Sequence, residues 1–538
     1  MSTFTGTNAD ETITPEKVSP TVTSNGQPRP SVDIDTIDAG GGNDVVAGGG
    51  GNDVALLGGG DDTFIWNPGD GSDTVDGQAG TDTLAFVGSA ANEKFDISAS
   101  ANGQHVRLFR DVGNVTMDLN GVERINLAAS GGADTIAVND LSGTDAKVVA
   151  VDLSRDKGNG GDKQEDTVSV QGTAGADDVV VSGHGNNVAV SGLAAQTSID
   201  HGDKADNLVI STGAGNDSID ASSLGKGHIG LQLFGGDGAD RIMGSDGDDF
   251  VNGGRDNDVA RLGGGDDTFV WNPGDGSDTV EGQAGTDTLV FNGANIAEKV
   301  DITANGSRAL FTRDVAGINM DLNGIEKIKF AALGGSDKIT VGNLAGTDVQ
   351  QVAIDLGAGG NGDDDAVTLN GTGGNDHIKL VVAGDQVTVT GLPAQVTIDH
   401  VETQDKLIVQ GGAGDDIIDA SGAPAGGMQF ILDGGEGNDV LHGGQGDDKV
   451  TGGAGADRFE FSGFNGTDTI SDFKQGLDKV DILGYGGALN KFDDLAGHIS
   501  QVGVDTRVDL SGAVAGAGSI VLLNTQMASL SSSDFAFK

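Results

Sequence analysis

The chain has 538 residues, of which 94 are glycine and 8 are proline, and its formal net charge at pH 7 is −52. Collagen is excluded because it needs far more proline and a glycine at every third position. Such a negative charge opposes binding to nucleic acid and to anionic membranes, since both require clustered Lys and Arg. Cysteine is absent, so the fold cannot depend on disulfides.

The N-terminal segment, residues 1–37, has neither the basic stretch nor the apolar core of a secretory signal peptide. No apolar run in the sequence approaches the ~20 residues needed to cross a bilayer, so we expect no transmembrane segment. The N-terminus alone would assign the chain to the cytosol, an assignment that the C-terminus reverses below.

A long internal duplication follows. Residues 57–84 return at 262–289 with two changes, Ile65 to Val270 and Asp76 to Glu281. The duplication predicts two units of roughly 200 residues followed by a third, truncated start.

A nine-residue period punctuates these units, most clearly in runs of consecutive nonapeptides at 39–65, 235–270 and 434–460. Each nonapeptide approximates G-G-x-G-x-D-x-U-x, where U is large and apolar. The first six residues are turn formers, because Gly, Asn and Asp tolerate left-handed backbone. The last three predict a short strand with one inward side chain. Two nonapeptides make one coil, so we expect repeats n and n+2 to stack on the same side.

The sixth-position Asp residues carry the expected chemistry. Stacked strands lie ~4.8 Å apart, which brings successive turn Asp residues together. Two bare carboxylates at that distance repel by about 3–4 kcal/mol at an effective dielectric constant of 20. Ca²⁺ suits this setting because it accepts six to eight oxygen ligands with flexible geometry, whereas zinc prefers His or Cys. The fixed register and the apolar eighth position favour a folded repeat over a flexible Gly/Asp-rich linker.

These nonapeptides resemble the RTX family, the hemolysin-type calcium-binding repeat proteins secreted by Gram-negative bacteria. The resemblance implies a β-roll in which the sixth-position Asp residues bind Ca²⁺ together with turn carbonyls. Carried over to this sequence, the regular positions are Asp44, Asp53, Asp62, Asp240, Asp249, Asp258, Asp267, Asp439, Asp448 and Asp457. Degenerate coils, in which the spacing slips to ten or eleven residues, add Asp73, Asp82, Asp278, Asp287 and Asp468, with Asp478 beyond them. In block two Asp256 replaces the fourth glycine, which predicts a strained or metal-poor turn.

The stretches between the nonapeptide blocks show period-two alternation, as in Val115–Leu119, broken by Asn-Gly and similar turn signals. They predict many short strands and no long helix. The fold class that we expect is therefore all-β, an elongated parallel β-roll or β-solenoid with Ca²⁺-loaded turns. The predicted segments are an N-terminal segment (1–37), block 1 (38–87), a solenoid segment (88–232), block 2 (233–291), a second solenoid segment (292–432), block 3 (433–481) and a C-terminal cap with secretion signal (482–538).

The C-terminus changes the predicted location. Residues 466–483 look like the closing segment of many RTX repeat regions, and the end of the chain, Asp534-Phe535-Ala536-Phe537, is similar to an uncleaved type I secretion signal. An edge strand that closes the last coil is a second interpretation, compatible with the first. The resemblance implies a protein that is exported by type I secretion machinery and is extracellular or on the cell surface.

No catalytic motif is present: H-E-x-x-H, G-x-S-x-G, a P-loop and a Rossmann fingerprint are all missing from the sequence. We therefore predict a non-enzymatic component of an extracellular matrix, a surface layer or an adhesion system. The alternative is a secreted hydrolase or lyase that acts on polysaccharide in a solenoid groove. Besides calcium ions, the candidate partners are an extracellular polysaccharide and further copies of the chain.

Three kinds of side chain admit a second interpretation. Trp66 and Trp271 could be sugar-stacking platforms, but caps of the roll are favoured. His201 and His400 could sense pH or bind a ligand, but plain strand-end histidines are favoured. The arginines could bind acidic glycans, but local ion pairs are favoured; they are Arg107, Arg110, Arg308 and Arg313.

Overall fold

The structure is a computed structural model that describes residues 1–155, 160–185, 187–357, 362–424, 427–463, 466–485, 487 and 489–538. It is nearly all β, and the helical elements among these residues are short 3-10 turns at Val315–Gly317, Phe492–Leu495 and Met527–Ser529. None of the described helices has the length and apolar character needed to span a membrane.

The described residues form two compact units. The N-terminal unit comprises Met1–Phe269, Gly274–Asp278 and Gly282–Gly285, and the C-terminal unit comprises Val270–Pro273, Thr279–Glu281 and Thr286–Lys538.

The strands up to the division are β1 (Thr3–Thr7), β2 (Thr12–Ile13), β3 (Thr23–Asn25), β4 (Thr36–Gly40), β5 (Val45–Val46), β6 (Val54–Gly59), β7 (Thr63–Trp66), β8 (Thr74–Ala79), β9 (Thr83–Val87), β10 (Lys94–Ala99), β11 (Val106–Arg110), β12 (Val115–Asn120), β13 (Arg124–Ala128), β14 (Thr135–Val138), β15 (Val148–Asp152), β16 (Thr167–Gln171), β17 (Asp178–His184), β18 (Asn187–Ser191), β19 (Gln196–Asp200), β20 (Asn207–Ala214), β21 (Ser218–Ser223), β22 (Gly230–Asp237), β23 (Arg241–Met243), β24 (Asp249–Arg255), β25 (Val259–Gly264), β26 (Thr268–Trp271) and β27 (Thr279–Ala284). The division of the chain falls within β26 and β27.

The strands that follow are β28 (Thr288–Asn292), β29 (Lys299–Asn305), β30 (Arg308–Arg313), β31 (Ile318–Asn323), β32 (Lys327–Ala331), β33 (Lys338–Val341), β34 (Gln351–Asp355), β35 (Ala366–Asn370), β36 (His377–Ala383), β37 (Gln386–Thr390), β38 (Gln395–Asp399), β39 (Lys406–Ala413), β40 (Ile417–Asp419), β41 (Gln429–Glu436), β42 (Val440–His442), β43 (Lys449–Ala454), β44 (Arg458–Ser462), β45 (Thr467–Ile470), β46 (Lys479–Leu483), β47 (Ile499–Val502), β48 (Asp505–Asp509), β49 (Ser519–Leu522) and β50 (Phe535–Phe537).

In the N-terminal unit, successive strands alternate between two parallel sheets. Strands β4, β6 and β8 stack in one sheet, and β5, β7 and β9 stack in the other. The register pairs Thr36 with Val54, 18 residues later, so one coil is two nonapeptides, as predicted. Inward side chains such as Ile37 and Val75 are fully buried between the sheets.

The C-terminal unit repeats this construction. Strands β39, β41 and β43 stack in parallel, and so do β40, β42 and β44. Leu432, opposite Val450, is fully buried in its core. The predicted all-β roll is therefore confirmed in each unit.

Antiparallel strands interrupt the parallel stacks, which the sequence analysis did not predict. Strand β11 pairs antiparallel with both β10 and β12, while β10 and β12 pair in parallel with β14 and β8. Strand β18 lies in the same way between β17 and β19 in the other sheet, and β30, β37 and β48 are the counterparts in the C-terminal unit. These strands run antiparallel because short turns connect them to their neighbours along the chain, and a short turn can join only antiparallel strands.

Candidate functional site

The predicted calcium ligands lie in rows along the turns that join the two sheets. Each regular Asp stands at or next to the start of a strand, as Asp44 does before β5, Asp53 before β6 and Asp62 before β7. All fifteen predicted Asp residues are at most 4% exposed. Carboxylates are rarely so buried unless another group compensates their charge.

One oxygen of most regular carboxylates joins neighbouring coils. The amide N–H of Asp44 donates to Oδ1 of Asp62 at 2.7 Å, and that of Asp62 donates to Oδ1 of Asp82 at 2.9 Å. The same bond links the pairs Asp53–Asp73, Asp240–Asp258, Asp249–Asp267, Asp258–Asp278, Asp439–Asp457 and Asp448–Asp468. In each of these pairs Oδ1 of the second residue thus satisfies a backbone donor of the preceding coil.

The second oxygen of most of these carboxylates is buried without a hydrogen-bond partner among the described residues. It belongs to Asp44, Asp53, Asp62, Asp82, Asp240, Asp258, Asp278, Asp439, Asp448, Asp457 and Asp468. A buried charged oxygen without a donor is strongly unfavourable. The rows therefore present oxygens that fit a cation.

Burial shifts the protonation of the same groups. Desolvation, reinforced by the charge of Asp62, raises the pKa of Asp44 to about 6. Desolvation, with Asp278 and Asp240 as charged neighbours, raises the pKa of Asp258 to about 8. Desolvation, with Asp62 and Glu123 as charged neighbours, raises the pKa of Asp82 to about 7. A bound cation would keep these carboxylates ionised at neutral pH.

Glycine is required where the coils approach most closely. Gly58 has φ = 110°, and a Cβ atom at this position would overlap the carbonyl oxygen of Gly40 in the preceding coil. At Asp256, which replaces a turn glycine, φ is 70°, so the turn keeps its left-handed conformation. Aspartate tolerates this conformation better than most non-glycine residues, so the strained or metal-poor turn stays a prediction.

Backbone oxygens must supply much of any metal coordination here. Within the described segments, no three or more His, Cys, Asp or Glu side chains converge as a metal cluster would require. Ca²⁺ accepts carbonyl and carboxylate oxygens together, and the glycine-rich turns offer both. The donor set therefore fits calcium and does not fit zinc.

Other turns satisfy the second oxygen internally. At Asp249 the Ser245 N–H donates to Oδ2 at 2.5 Å, and the Ser245 hydroxyl donates to Oδ1 at 3.0 Å. At Asp478 the Lys474 N–H donates to Oδ2 at 2.7 Å. The donor stands four residues before the carboxylate in both cases. We call these capped turns. Turns such as that of Asp62, in which Oδ2 has no hydrogen-bond partner among the residues that the structure describes, we call open turns.

Position five of the repeat forms a second row, which the sequence analysis missed. The Asp61 N–H donates to Oδ1 of Asn43 at 2.9 Å, and the Thr81 N–H donates to Oδ1 of Asp61 at 2.9 Å. These exposed bonds also link adjacent coils. The recurrent Asn or Asp at this position was the available signal, but it was interpreted only as a turn former.

A buried ion pair occupies one turn of each unit, that of Glu93 in the N-terminal unit and that of Glu298 in the C-terminal unit. Arg110 Nε donates to Oε1 of Glu93 at 2.7 Å, and both side chains are at most 4% exposed. The guanidinium lies 5.4 Å from the ring of Trp66, which stacks on Phe86 at 4.1 Å. In the C-terminal unit the corresponding residues are Arg313, Glu298, Trp271 and Phe291. In these two turns an arginine side chain supplies the positive charge that a cation would supply in the aspartate rows.

The burial of the tryptophans and the ion pairs of the arginines distinguish between the two interpretations given for each in the sequence analysis. Trp66 and Trp271 are at most 1% exposed and cannot stack on a sugar in solvent. Arg107 lies 3.6 Å from Asp96, and Arg308 pairs with Glu281 at 2.7 Å. The prediction of local ion pairs is confirmed.

The two histidines occupy equivalent positions at strand ends. Nδ1 of His201 lies 2.8 Å from Oδ1 of Asp152, and Nδ1 of His400 lies 2.7 Å from Oδ1 of Asp355. The hydrogen bond to Asp355 raises the pKa of His400. Each histidine thus has a local carboxylate partner.

The C-terminal segment closes a stack. Strand β50 pairs in parallel with β46, with Val480 opposite Phe535. Asp534 is fully buried, and its Oδ2 accepts the Ser531 N–H at 2.7 Å. The interpretation as an edge strand is confirmed, while the secretion signal remains a prediction.

Comparison with known proteins identifies the repeat. The family described as RTX calcium-binding nonapeptide repeat (4 copies) matches six ranges of this chain: residues 31–64, 69–85, 234–269, 274–295, 408–423 and 431–459. Fourteen of the fifteen predicted Asp residues lie within these ranges, and Asp468 lies outside them.

Solved structures also match, at low similarity. The extracellular lipase of Serratia marcescens is 19% identical with a TM-score of 0.16, and the match covers 56% of this chain and 40% of the lipase. A subunit of the mannuronan C5-epimerase of Azotobacter vinelandii is 24% identical with a TM-score of 0.18, covering 32% of this chain and 78% of that subunit. No curated protein matches the sequence. These values do not allow an activity to be transferred.

Proposed function

We propose that this chain, which carries RTX calcium-binding nonapeptide repeats, is a secreted protein whose rolls fold when Ca²⁺ binds outside the cell. We further propose a non-enzymatic role in an extracellular matrix, a surface layer or adhesion. The observation that carries the proposal is the row of buried carboxylate oxygens that have no hydrogen-bond partner among the described residues, as at Asp44, Asp53 and Asp62. Calcium bound by these oxygens and by turn carbonyls would offset their burial.

The direction of this coupling follows from the charges. Without calcium, the buried carboxylates oppose the stacking of coils, and 94 glycines add to the entropic cost of folding. Free calcium is scarce in the cytosol and abundant outside the cell. Binding that requires the folded turns stabilises the fold by mass action. The chain would therefore stay unfolded until export.

Export through a type I system is supported by the C-terminal sequence from Asp534 to Phe537. In the folded structure, Phe535–Phe537 of this segment form strand β50. We infer that the segment is extended during export and pairs with β46 only afterwards.

Circular dichroism of the full chain tests calcium-coupled folding. We expect a weak β signal in calcium-free buffer at neutral pH and a strong one after calcium is added. Titration calorimetry on the calcium-free protein should show heat of binding over the same concentration range. A full β signal without calcium, or no heat on addition, would contradict the proposal.

A polysaccharide-active enzyme is the second candidate. One outer face of the N-terminal unit carries a groove of about 420 Å³, lined in part by Arg124, Asp152 and Asp200. Asp152 and Asp200 are direct neighbours on strands β15 and β19. Two adjacent carboxylates could serve as an acid and a base toward a glycan. Turnover in a glycan screen of calcium-loaded protein, abolished by Asp200→Asn, would favour this candidate.

A further inference from the structure

We propose that Ca²⁺ also binds at two turns outside the nonapeptide repeats, those of Asp134 in the N-terminal unit and Asp337 in the C-terminal unit. This inference rests on the proposed function, because it extends calcium binding from the repeats to the solenoid segments. The two turns occupy corresponding places in the duplicated sequence, SGGAD at 130–134 and LGGSD at 333–337. Neither lies within the ranges matched by the RTX repeat.

The carboxylates at these positions have the arrangement seen in the open turns. Asp134 is 1% exposed, and its Oδ1 accepts the Glu93 N–H at 2.8 Å. Asp337 is also 1% exposed, and its Oδ1 accepts the Glu298 N–H at 2.7 Å. In both residues Oδ2 is buried and has no hydrogen-bond partner in the described part of the chain. Each carboxylate therefore keeps one buried oxygen available for a cation.

The backbone explains why these oxygens are not capped. Four residues before the carboxylate stand Ser130 with φ = 81° and Leu333 with φ = 69°. The open turns of Asp44, Asp53 and Asp62 have glycine with positive φ at the same place. A left-handed conformation costs a non-glycine residue about 1–3 kcal/mol and persists where its surroundings impose it. The open geometry is thus kept in both copies although glycine is absent.

Capped turns in the same solenoid segments show how a local donor can satisfy the second oxygen instead. The Thr173 N–H donates to Oδ2 of Asp177 at 2.7 Å, and the Thr372 N–H donates to Oδ2 of Asp376 at 2.6 Å. The Thr173 hydroxyl adds a bond of 3.1 Å to Oδ1. These carboxylates have local donors for both oxygens, and we expect no calcium there.

A second carboxylate approaches each open turn from the next coil. Oδ2 of Asp162 accepts the Gly132 N–H at 3.2 Å, and Oδ2 of Asp363 accepts the Gly335 N–H at 2.7 Å. The neighbouring Glu93 cannot share a cation in the same way, because Arg110 already pairs with it. Two carboxylates with nearby glycine carbonyls are hard oxygen donors, which suit Ca²⁺ better than the stricter octahedral geometry of Mg²⁺.

Hydrogen exchange of the full wild-type chain, read by mass spectrometry across a calcium titration, tests the sites. We expect amides of residues 129–134 and 332–337 to become protected together with those of the nonapeptide blocks. At a calcium concentration about 100 times the dissociation constant, exchange through the open state should slow about a hundredfold. Protection of 39–65 without protection of 129–134 and 332–337 would overturn this inference alone. No protection in either region would overturn the proposed function as well.

Stoichiometry provides an independent readout. Native mass spectrometry of the double variant Asp134→Asn/Asp337→Asn should show two calcium ions fewer than wild type. The matched control, Asp177→Asn/Asp376→Asn, changes capped turns of the same segments and should retain the wild-type number. Equal loss in both variants, or no loss in the first, would overturn the inference. If the first variant fails to fold, the wild-type exchange measurement decides.

Discussion

The amide N–H of Asp44 donates to Oδ1 of Asp62 at 2.7 Å, while Oδ2 of the same Asp62 carboxylate has no hydrogen-bond partner in the described residues. One oxygen therefore holds the backbone of the preceding coil, and the other is left for a cation. These two roles of one carboxylate explain why an aspartate recurs at position six. An asparagine could accept the backbone bond but would carry no charge for the metal.

The contrast between open and capped turns gives the first prediction. Asp53→Asn should weaken calcium binding at its turn by at least about tenfold, or about 1.4 kcal/mol. The substitution removes the charge of an oxygen that has no hydrogen-bond partner in the described part of the chain. Asp249→Asn should leave the calcium stoichiometry unchanged, because Ser245 already donates to both of its oxygens. Calorimetry on the two variants makes the comparison, and equal weakening would show that capping does not control binding.

The stability of the calcium-free fold should fall as pH rises. In the fold the pKa of Asp53 is about 6, that of Asp82 about 7 and that of Asp258 about 8, each raised mainly by desolvation from 3.8. The folded state thus binds more protons than the unfolded state between these values, so the free energy of unfolding decreases with pH. The contribution is complete below about pH 4 and disappears as pH passes through 6–8.

Urea unfolding of cation-free protein at pH 5 and pH 8, followed by circular dichroism, measures this dependence. We expect residual β structure at pH 5 and much less at pH 8. With saturating calcium the trend should reverse, because protons compete with the metal for the same oxygens. A calcium-free protein that becomes more stable toward pH 8 would contradict the argument.

Close contact between coils predicts unequal effects of two glycine substitutions. Gly254 and Gly274 both have positive φ, at 98° and 116°. A Cβ atom on Gly254 would overlap the carbonyl oxygen of Gly236, whereas one on Gly274 would meet nothing within 4 Å. Gly274→Ala should therefore cost only the left-handed conformation, about 1–2 kcal/mol. Gly254→Ala should cost clearly more, as measured by thermal unfolding in calcium, and equal costs would exclude the steric explanation.

The buried pair of Arg110 and Glu93 should stabilise its turn in the calcium-loaded protein without a calcium ion bound at that turn. Arg110→Ala leaves the buried carboxylate of Glu93 without its partner, so we expect a loss of about 3–5 kcal/mol and a change in Trp66 fluorescence. The control Arg107→Ala removes an ion pair in which both side chains are more than 40% exposed, and should cost less than about 1 kcal/mol. The double variant Glu93→Gln/Arg110→Ala should recover part of the loss. Denaturant unfolding measures all three, and equal costs for the two arginines would contradict the assignment.

The nine-residue spacing was sufficient to predict the two-sheet roll and the rows of Asp44, Asp53 and Asp62. It could do so because the spacing is local: two nonapeptides make one coil, and residues 18 apart must then stack. The antiparallel strand β11 was missed, since period-two alternation is the same in parallel and antiparallel strands.

The tertiary structure alone decided which carboxylates are open and which are capped. Ser245 donates to both oxygens of Asp249, yet Ser130, which stands at the same place before Asp134, leaves Oδ2 of that carboxylate without a partner among the described residues. The pairing of Arg110 with Glu93 likewise depends on the reversal at β11, which brings together residues 17 apart. Such outcomes depend on backbone angles and on bonds between coils, whereas the repeat pattern records only which residues are present.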